Sequence, residues 1–198
     1  VDPVEFRLER LADPRAIDAL TRATAAFGWQ SRTSPNPQAR QGRLLVGRGV
    51  AYMRYKQAEN YVAMVMEVAV DPASGRITVR RVTCSHDCGL VINPDGLRNQ
   101  IEGCIVQTLS RTLHEEVTFD RSRVTSVDWM SYPILTFPEV PAIDVILIDR
   151  PDQPLLGAGE AATAPVAAAV ANAVFDATGV RLRTVLFTPE RVRAALRT

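Results

Sequence analysis

The chain has 198 residues, 46% of them hydrophobic and 23% charged, with a formal net charge of +1. That balance fits a globular polypeptide with one sizeable core or two small ones, and it argues against nucleic acid or an anionic membrane as the main partner, since either would favour a concentrated basic face. No run of about 18 apolar residues stands out, so no transmembrane span is expected, and the start Val1-Asp2-Pro3, without Met, reads as that of a piece whose targeting signal would lie upstream.

Residues 1–29 read as a helical N-terminal segment. Asp13-Pro14 is a helix start, Ile17, Leu20, Thr24 and Phe27 share one face, and Gly28 ends the run. Residues 30–43 are polar and aperiodic, which marks a loop or linker and a candidate boundary before a unit spanning 44–198. Strands are expected at Leu44 to Lys56 and Asn60 to Val70, the second apolar on both faces as in a buried strand. Asp71 to Gly75 is a turn, and Arg76 to Ser85 alternates, so this strand and the one before it read as a hairpin.

Cys84, Cys88 and Cys104 are an odd number without a disulfide framework. Cys84-Ser85-His86-Asp87-Cys88 offers two thiols and an imidazole. A structural zinc or a cysteine-held cluster usually takes four ligands, so buried thiols are the better reading. A helix follows from about Asp95 to Glu116, with Leu97, Ile101, Cys104, Ile105, Thr108, Leu109, Thr112 and Leu113 in one broad stripe. Gln100, Gly103 and Gln107 fall on another strip. A glycine inside a helix costs about 1 kcal/mol relative to alanine, which is tolerable where something must approach closely. The alternative is a helix-crossing glycine between two solvated glutamines.

Phe119 to Val124 resembles a second hairpin turn, Ile143 to Ile148 a buried or edge strand, and Thr188-Pro189 a helix start with threonine as cap. Before that last helix comes Leu155-Leu156-Gly157-Ala158-Gly159-Glu160-Ala161-Ala162-Thr163-Ala164-Pro165, opening an alanine-rich helix that closes at Gly179. Two glycines suggest a tight turn that delivers one carboxylate to a helix N-terminus. Glu160 is then either a functional group or a side chain that complements the helix dipole. The pattern as a whole is α+β, a mixed sheet with packed helices rather than regular βαβ alternation.

Several blocks occur in order: Asp87-Cys88-Gly89 with Asn93-Pro94; Arg98-Asn99-Gln100-Ile101-Glu102-Gly103; Tyr132-Pro133 before Glu139-Val140-Pro141; Gly157-Ala158-Gly159-Glu160; Asn172 to Gly179; and Thr188 to Val192. Together they resemble the C-terminal part of the molybdopterin-binding large subunit of the molybdenum hydroxylases, the xanthine dehydrogenase and aldehyde oxidoreductase family, most closely its isoquinoline 1-oxidoreductase branch. The resemblance covers nearly all of residues 45–198. It implies the molybdopterin-binding fold of that family and oxidation of an aldehyde or N-heteroaromatic substrate with oxygen taken from water.

By position in that family, Glu160 would be the general base. Gln100 would hydrogen-bond the cofactor, and Gly103, Gly157, Ala158, Gly159 and Ala161 would lie against it, with backbone N–H groups towards its anionic oxygens. No side chain would ligate the metal directly. The implied cofactor is molybdopterin with molybdenum, the cytosine dinucleotide form being left open. The implied partners are the N-terminal remainder of the large subunit and a small [2Fe-2S] subunit that carries the electrons away. Cys104 departs from the family's usual small residue after the helix glycine. A non-catalytic binding or assembly domain, with the same fold and an incomplete cofactor site, is the alternative reading.

Overall fold

The computed structural model describes residues 1–57 and 60–197, without the side chain of Gln57. Five strands form one sheet in the order β1-β2-β3-β4-β5: β1 Arg40–Gln41, β2 Leu44–Arg54, β3 Tyr61–Val70, β4 Ile77–Asp87 and β5 Ala142–Ile148. The first four run antiparallel and β5 is parallel to β4, so the sheet is mixed, as expected. The β3–β4 hairpin turns at Asp71 to Gly75, where the Asp71 N–H donates to Arg76 O. Residues 119–124 form the expected hairpin turn, closed by one isolated antiparallel bridge between Phe119 and Val124 and by the Asp120 N–H donating to Arg123 O.

Helices cover both faces of the sheet. On one side α1 (Pro3–Leu8) and α2 (Pro14–Phe27) bury Leu20, Ala23 and Phe27 with Val50, Ala63 and Val65. Both helices precede the 30–43 stretch, which carries β1 at its end, and pack with the remainder of the chain. On the other side lie α3 (Pro94–Leu113), α4 (Val166–Thr178) and α5 (Pro189–Ala195), whose apolar stripes share a larger core with Met64, Met66, Val82 and Cys84. The central strand β3 is therefore buried on both faces. The helix starts follow local chemistry: Asp13, Asn93 and Thr188 each accept a first-turn N–H, and each precedes a proline. Helix α3 begins at Pro94, just before its expected start, and ends at Leu113, short of its expected end at Glu116, and the strand expected to stop at Ser85 continues to Asp87.

Helix α4 sits so close to β2 that side chains are excluded. A Cβ on Gly49 would come within 2.2 Å of Ala169 O and 2.3 Å of Ala173 N, and one on Gly47 within 2.3 Å of Ala177 N. The alanines of α4 are small for the same reason. By length and composition Ala161–Thr178 would pass for a membrane span, which corrects the expectation that no such run exists, but its apolar face is packed on β2 and β3 inside this fold.

Two polar residues of α4 then close the outer edge of β2. The Arg48 N–H donates to Asp176 Oδ2 (2.9 Å), and Asn172 Nδ2 donates to Val50 O (3.0 Å). Asp176 is itself held by Arg32 through two bonds of 2.8 and 2.6 Å. At the far edge Arg98 Nη1 donates to Val145 O of β5 (2.8 Å).

Between α3 and β5 the chain makes a long excursion whose Phe119, Trp129, Met130 and Phe137 are exposed.

Replacing Gly49 with alanine is expected to destabilise the chain by at least about 2 kcal/mol, because the added methyl meets helix backbone that cannot rotate away. A fall in the urea midpoint without a change in slope would register it.

Candidate active site

The approach to Glu160 is built on a buried ion cluster. Asp87, at the end of β4, is fully buried. It accepts from Arg15 on α2 (3.0 and 2.6 Å), from Arg150 after β5 (2.6 Å) and from the Gly89 N–H (3.0 Å). Burial alone would raise this carboxyl's pKa, but those donors outweigh it and hold the group below its ordinary value. Arg150 also reaches Asp18 at 2.7 Å.

From this cluster the chain runs along the end of β4. The Arg150 N–H donates to Gly89 O and the Leu156 N–H to Cys88 O (3.0 Å). Gly89 has φ +80°, and a Cβ there would stand 2.0 Å from Pro154 O, so only glycine fits. Asn60, fully buried before β3, donates from Nδ2 to Gly157 O at 2.8 Å. Cys104 on α3 donates its thiol to Gly159 O at 3.3 Å. Burial, followed by the nearby Glu160 carboxylate, raises the Cys104 pKa and keeps it a neutral donor.

Glu160 emerges from this scaffold exposed. Its side chain makes no capping bond; Oε1 instead accepts a hydrogen bond from the hydroxyl of Tyr55, which follows β2. Its backbone carbonyl accepts from Thr163 N and Oγ1, which folds Ala161–Thr163 into a 3-10 turn. Helix α4 starts only at Val166, with Pro165 at the cap. Glu160 is therefore not the residue that caps α4, and the expectation that the motif opens directly onto that helix is corrected.

The glycine expectation also changes. Gly157 and Gly159 do not have positive φ, and among the described residues a Cβ on either would meet nothing within 4 Å. The turn does not require them to be glycine. The same holds for Gly103, where no described residue comes within 4 Å of a Cβ. Gly103, Gly157 and Gly159 are exposed, Ala158 is half-buried and Ala161 is buried. Gln100 is exposed one turn before Gly103 on α3, and among the described residues no hydrogen bond joins it to the 157–161 loop.

Strand alternation separates the Cys84–Cys88 run. Cys84 and His86 share the face of Val82, while Ser85 and Asp87 face α2. All three cysteines are free and buried.

A family of molybdopterin cofactor-binding domains matches residues 47–141. The chain is 49% identical over 202 residues to a nicotinate dehydrogenase subunit of Pseudomonas putida, covering 99% of this chain and 17% of that protein. It is 33% identical to the beta chain of isoquinoline 1-oxidoreductase from Brevundimonas diminuta, covering 95% of this chain and 23% of that one. The solved structure of quinoline 2-oxidoreductase from Pseudomonas putida 86 superimposes with a TM-score of 0.63 at 32% identity, over 70% of this chain and 19% of that one. The chain belongs to the molybdenum hydroxylase family.

It spans about a fifth of the length of these relatives. Within the molybdenum hydroxylase blocks, most residues have a structural task inside this chain. Asp87 gathers two arginines, Gly89 lets Pro154 approach, Asn93 caps α3, Arg98 covers β5, and Asn172 and Asp176 cover β2. At Gly103, Gly157 and Gly159 no contact among the described residues demands glycine, although the carbonyls of Gly157 and Gly159 and the carboxylate of Glu160 are each engaged by one neighbour, Asn60, Cys104 and Tyr55 in turn. Tyr55 and Asn60 join the loop without any sequence signal, because their partners lie about a hundred positions away.

His86 supplies a pH test of the scaffold. It is completely buried and, among the described residues, neither ring nitrogen has a hydrogen-bond partner. Burial lowers its pKa from 6.5 to about 4, with Asp87 partly opposing. The unfolded chain therefore takes up the proton first, and stability present above pH 6.5 is lost as the pH falls towards 4, by about 3 kcal/mol. Denaturation of a His86→Leu variant should show a flatter stability profile across that interval than the parent.

Proposed function

We propose that this chain forms one wall of the active site of a molybdenum hydroxylase, with Glu160 as general base and an N-heteroaromatic compound as substrate. The observation that carries the reading is the set of exposed glycines at Gly103, Gly157 and Gly159, none with a described residue within 4 Å of where its side chain would be. A chain that keeps glycine at these places, where no contact among the described residues demands it, offers bare backbone on α3 and on the loop of the exposed carboxylate to a bulky group supplied from outside. Molybdopterin fits that cradle, since a flat, polar, anionic group can approach bare backbone closely.

When bound, the molybdenum cofactor supplies the two-electron acceptor and the place where water is activated. The chain's own residues do the rest. Glu160 takes up the proton released as water adds to the substrate, and it must be ionised at the start to do so. The Tyr55 hydroxyl engages Oε1, which orients the carboxylate and leaves Oε2 for the proton in transit. Cys104 and Asn60 hold the carbonyls of Gly159 and Gly157, so the carboxylate is carried on a fixed loop. Gln100, on the same strip of α3 as Gly103, offers an amide donor and acceptor to the cofactor's polar edge.

The substrate class is supported by the names of the relatives, whose nicotinate, isoquinoline and quinoline substrates are N-heteroaromatic; an aldehyde is the second choice, from relatives such as an aldehyde oxidoreductase molybdenum-binding subunit of Escherichia coli at 30% identity. The remainder of the large subunit would close the site from the other side. A [2Fe-2S] subunit would carry the electrons away.

Glu160→Gln in the intact enzyme is expected to lower kcat about a thousandfold, the middle of the range for a positioned base, with molybdenum content unchanged. Full turnover in that variant would sink the assignment. Gly103→Ala separates cradle from scaffold. It should leave the chain's own stability equal or higher, by up to about 1 kcal/mol, while metal analysis of the intact enzyme shows reduced molybdenum.

A further inference from the structure

A second concavity lies away from Glu160, between α1, the middle of β2 and the C-terminal half of α4. It encloses about 290 Å³ and is lined by Arg7, Arg48, Arg181, Asn172 and Asp2, among others. It shares no lining residue with the glycine cradle.

Its charges do not balance. Among the described residues, none of the three arginines forms a salt bridge with a carboxylate. Arg7 donates only to Pro3 O (2.7 Å), Arg181 to Asn172 Oδ1 (3.0 Å), and Arg48 to Gln30 O. The acids nearby are committed elsewhere. Asp2 accepts from the N–H groups of Val4, Glu5 and Arg32 and from Trp29 Nε1, and Asp176 holds Arg32 in a two-bond fork. Asn172 is occupied between Val50 O and Arg181.

Two of the guanidinium groups sit over aromatic rings. Arg181 lies 3.5 Å from the Phe175 centroid and Arg48 4.0 Å from that of Trp29. Stacking fixes the plane of a guanidinium while its N–H edge stays available for a forked bond to an oxyanion. Arg48 Nε is in addition buried without a hydrogen-bond partner among the described residues. Burial, then the charge of Arg181, lowers the pKa of Arg7, so these cations are held at a cost to one another. Like charges gathered around a cavity concentrate anions there.

We propose that this cavity binds a doubly charged oxyanion, either inorganic phosphate or the phosphate group of a small metabolite. The volume lies at the lower end of the range for ligand sites, about 300–1,000 Å³, which suits a small phosphate compound rather than a dinucleotide. The site is separate from the reaction proposed above and does not depend on it.

The test is calorimetric titration of the intact enzyme, exchanged into phosphate-free buffer, with inorganic phosphate and with glycerol 3-phosphate, using chloride at matched ionic strength as control. Saturable binding of one phosphate per large subunit, absent with chloride, is expected. An Arg7→Gln/Arg181→Gln double variant should bind at least tenfold more weakly while its turnover and molybdenum content stay at parental levels. The single Arg181→Gln variant, altering an exposed side chain, gives the same reading if the double variant folds poorly. Tighter binding of glycerol 3-phosphate assigns the site to a phosphate ester, and tighter binding of phosphate assigns it to the free ion. Absence of saturable phosphate binding by the intact enzyme, or equal binding by parent and variants, overturns the proposal.

Discussion

The carboxylate of Asp87 is where three parts of this molecule are tied together. It lies at the end of β4, takes a two-bond fork from Arg15 on α2, and takes a third bond from Arg150 on the segment leaving β5. Removing one partner from such a buried arrangement typically costs about 3–5 kcal/mol, because the remaining charges stay buried without compensation. Its consequence here is positional. The segment that begins at Arg150 is pinned to Gly89 and Cys88 by backbone bonds and reaches Gly157 only a few residues later. The place from which Glu160 projects is set by an ion cluster on the opposite face of the sheet from α3 and α4.

That arrangement divides the residues of the family blocks into two kinds. Some hold the chain to itself, through caps, close approach and edge bonds. Others, at Gly103, Gly157 and Gly159, are small where the chain has room for more. A glycine that answers to a neighbour and a glycine that answers to empty space look alike in a sequence, and only packing separates them. The proposed cofactor cradle rests on that distinction, and the neutral thiol of Cys104 belongs to the first kind, holding Gly159 from below.

Much of the fold is legible in the residues. Alternation marks the strands of the β3–β4 hairpin, the stripe from Ile101 to Leu113 marks α3, and Asn93-Pro94 and Thr188-Pro189 mark helix starts, because these signals depend on neighbours a few positions apart. Residues joined over long separations are not legible. Arg15 meets Asp87, Tyr55 meets Glu160 and Asn60 meets Gly157 only after the sheet has formed, and no local period encodes such pairs. The glycine loop stands out in the sequence, but for a reason that packing does not support, since its φ angles are ordinary.

The bonds from α4 to the rim of β2 have a consequence for association. A strand rim with free N–H and C=O groups is a template on which another chain can add itself. Here the amide of Asn172 and the carboxylate of Asp176, one helical turn apart, answer the Val50 carbonyl and the Arg48 N–H as a sixth strand would. At Arg48 and Val50 the helix thus acts as a surrogate strand, and a neighbouring polypeptide arriving there meets side chains in place of an open ladder.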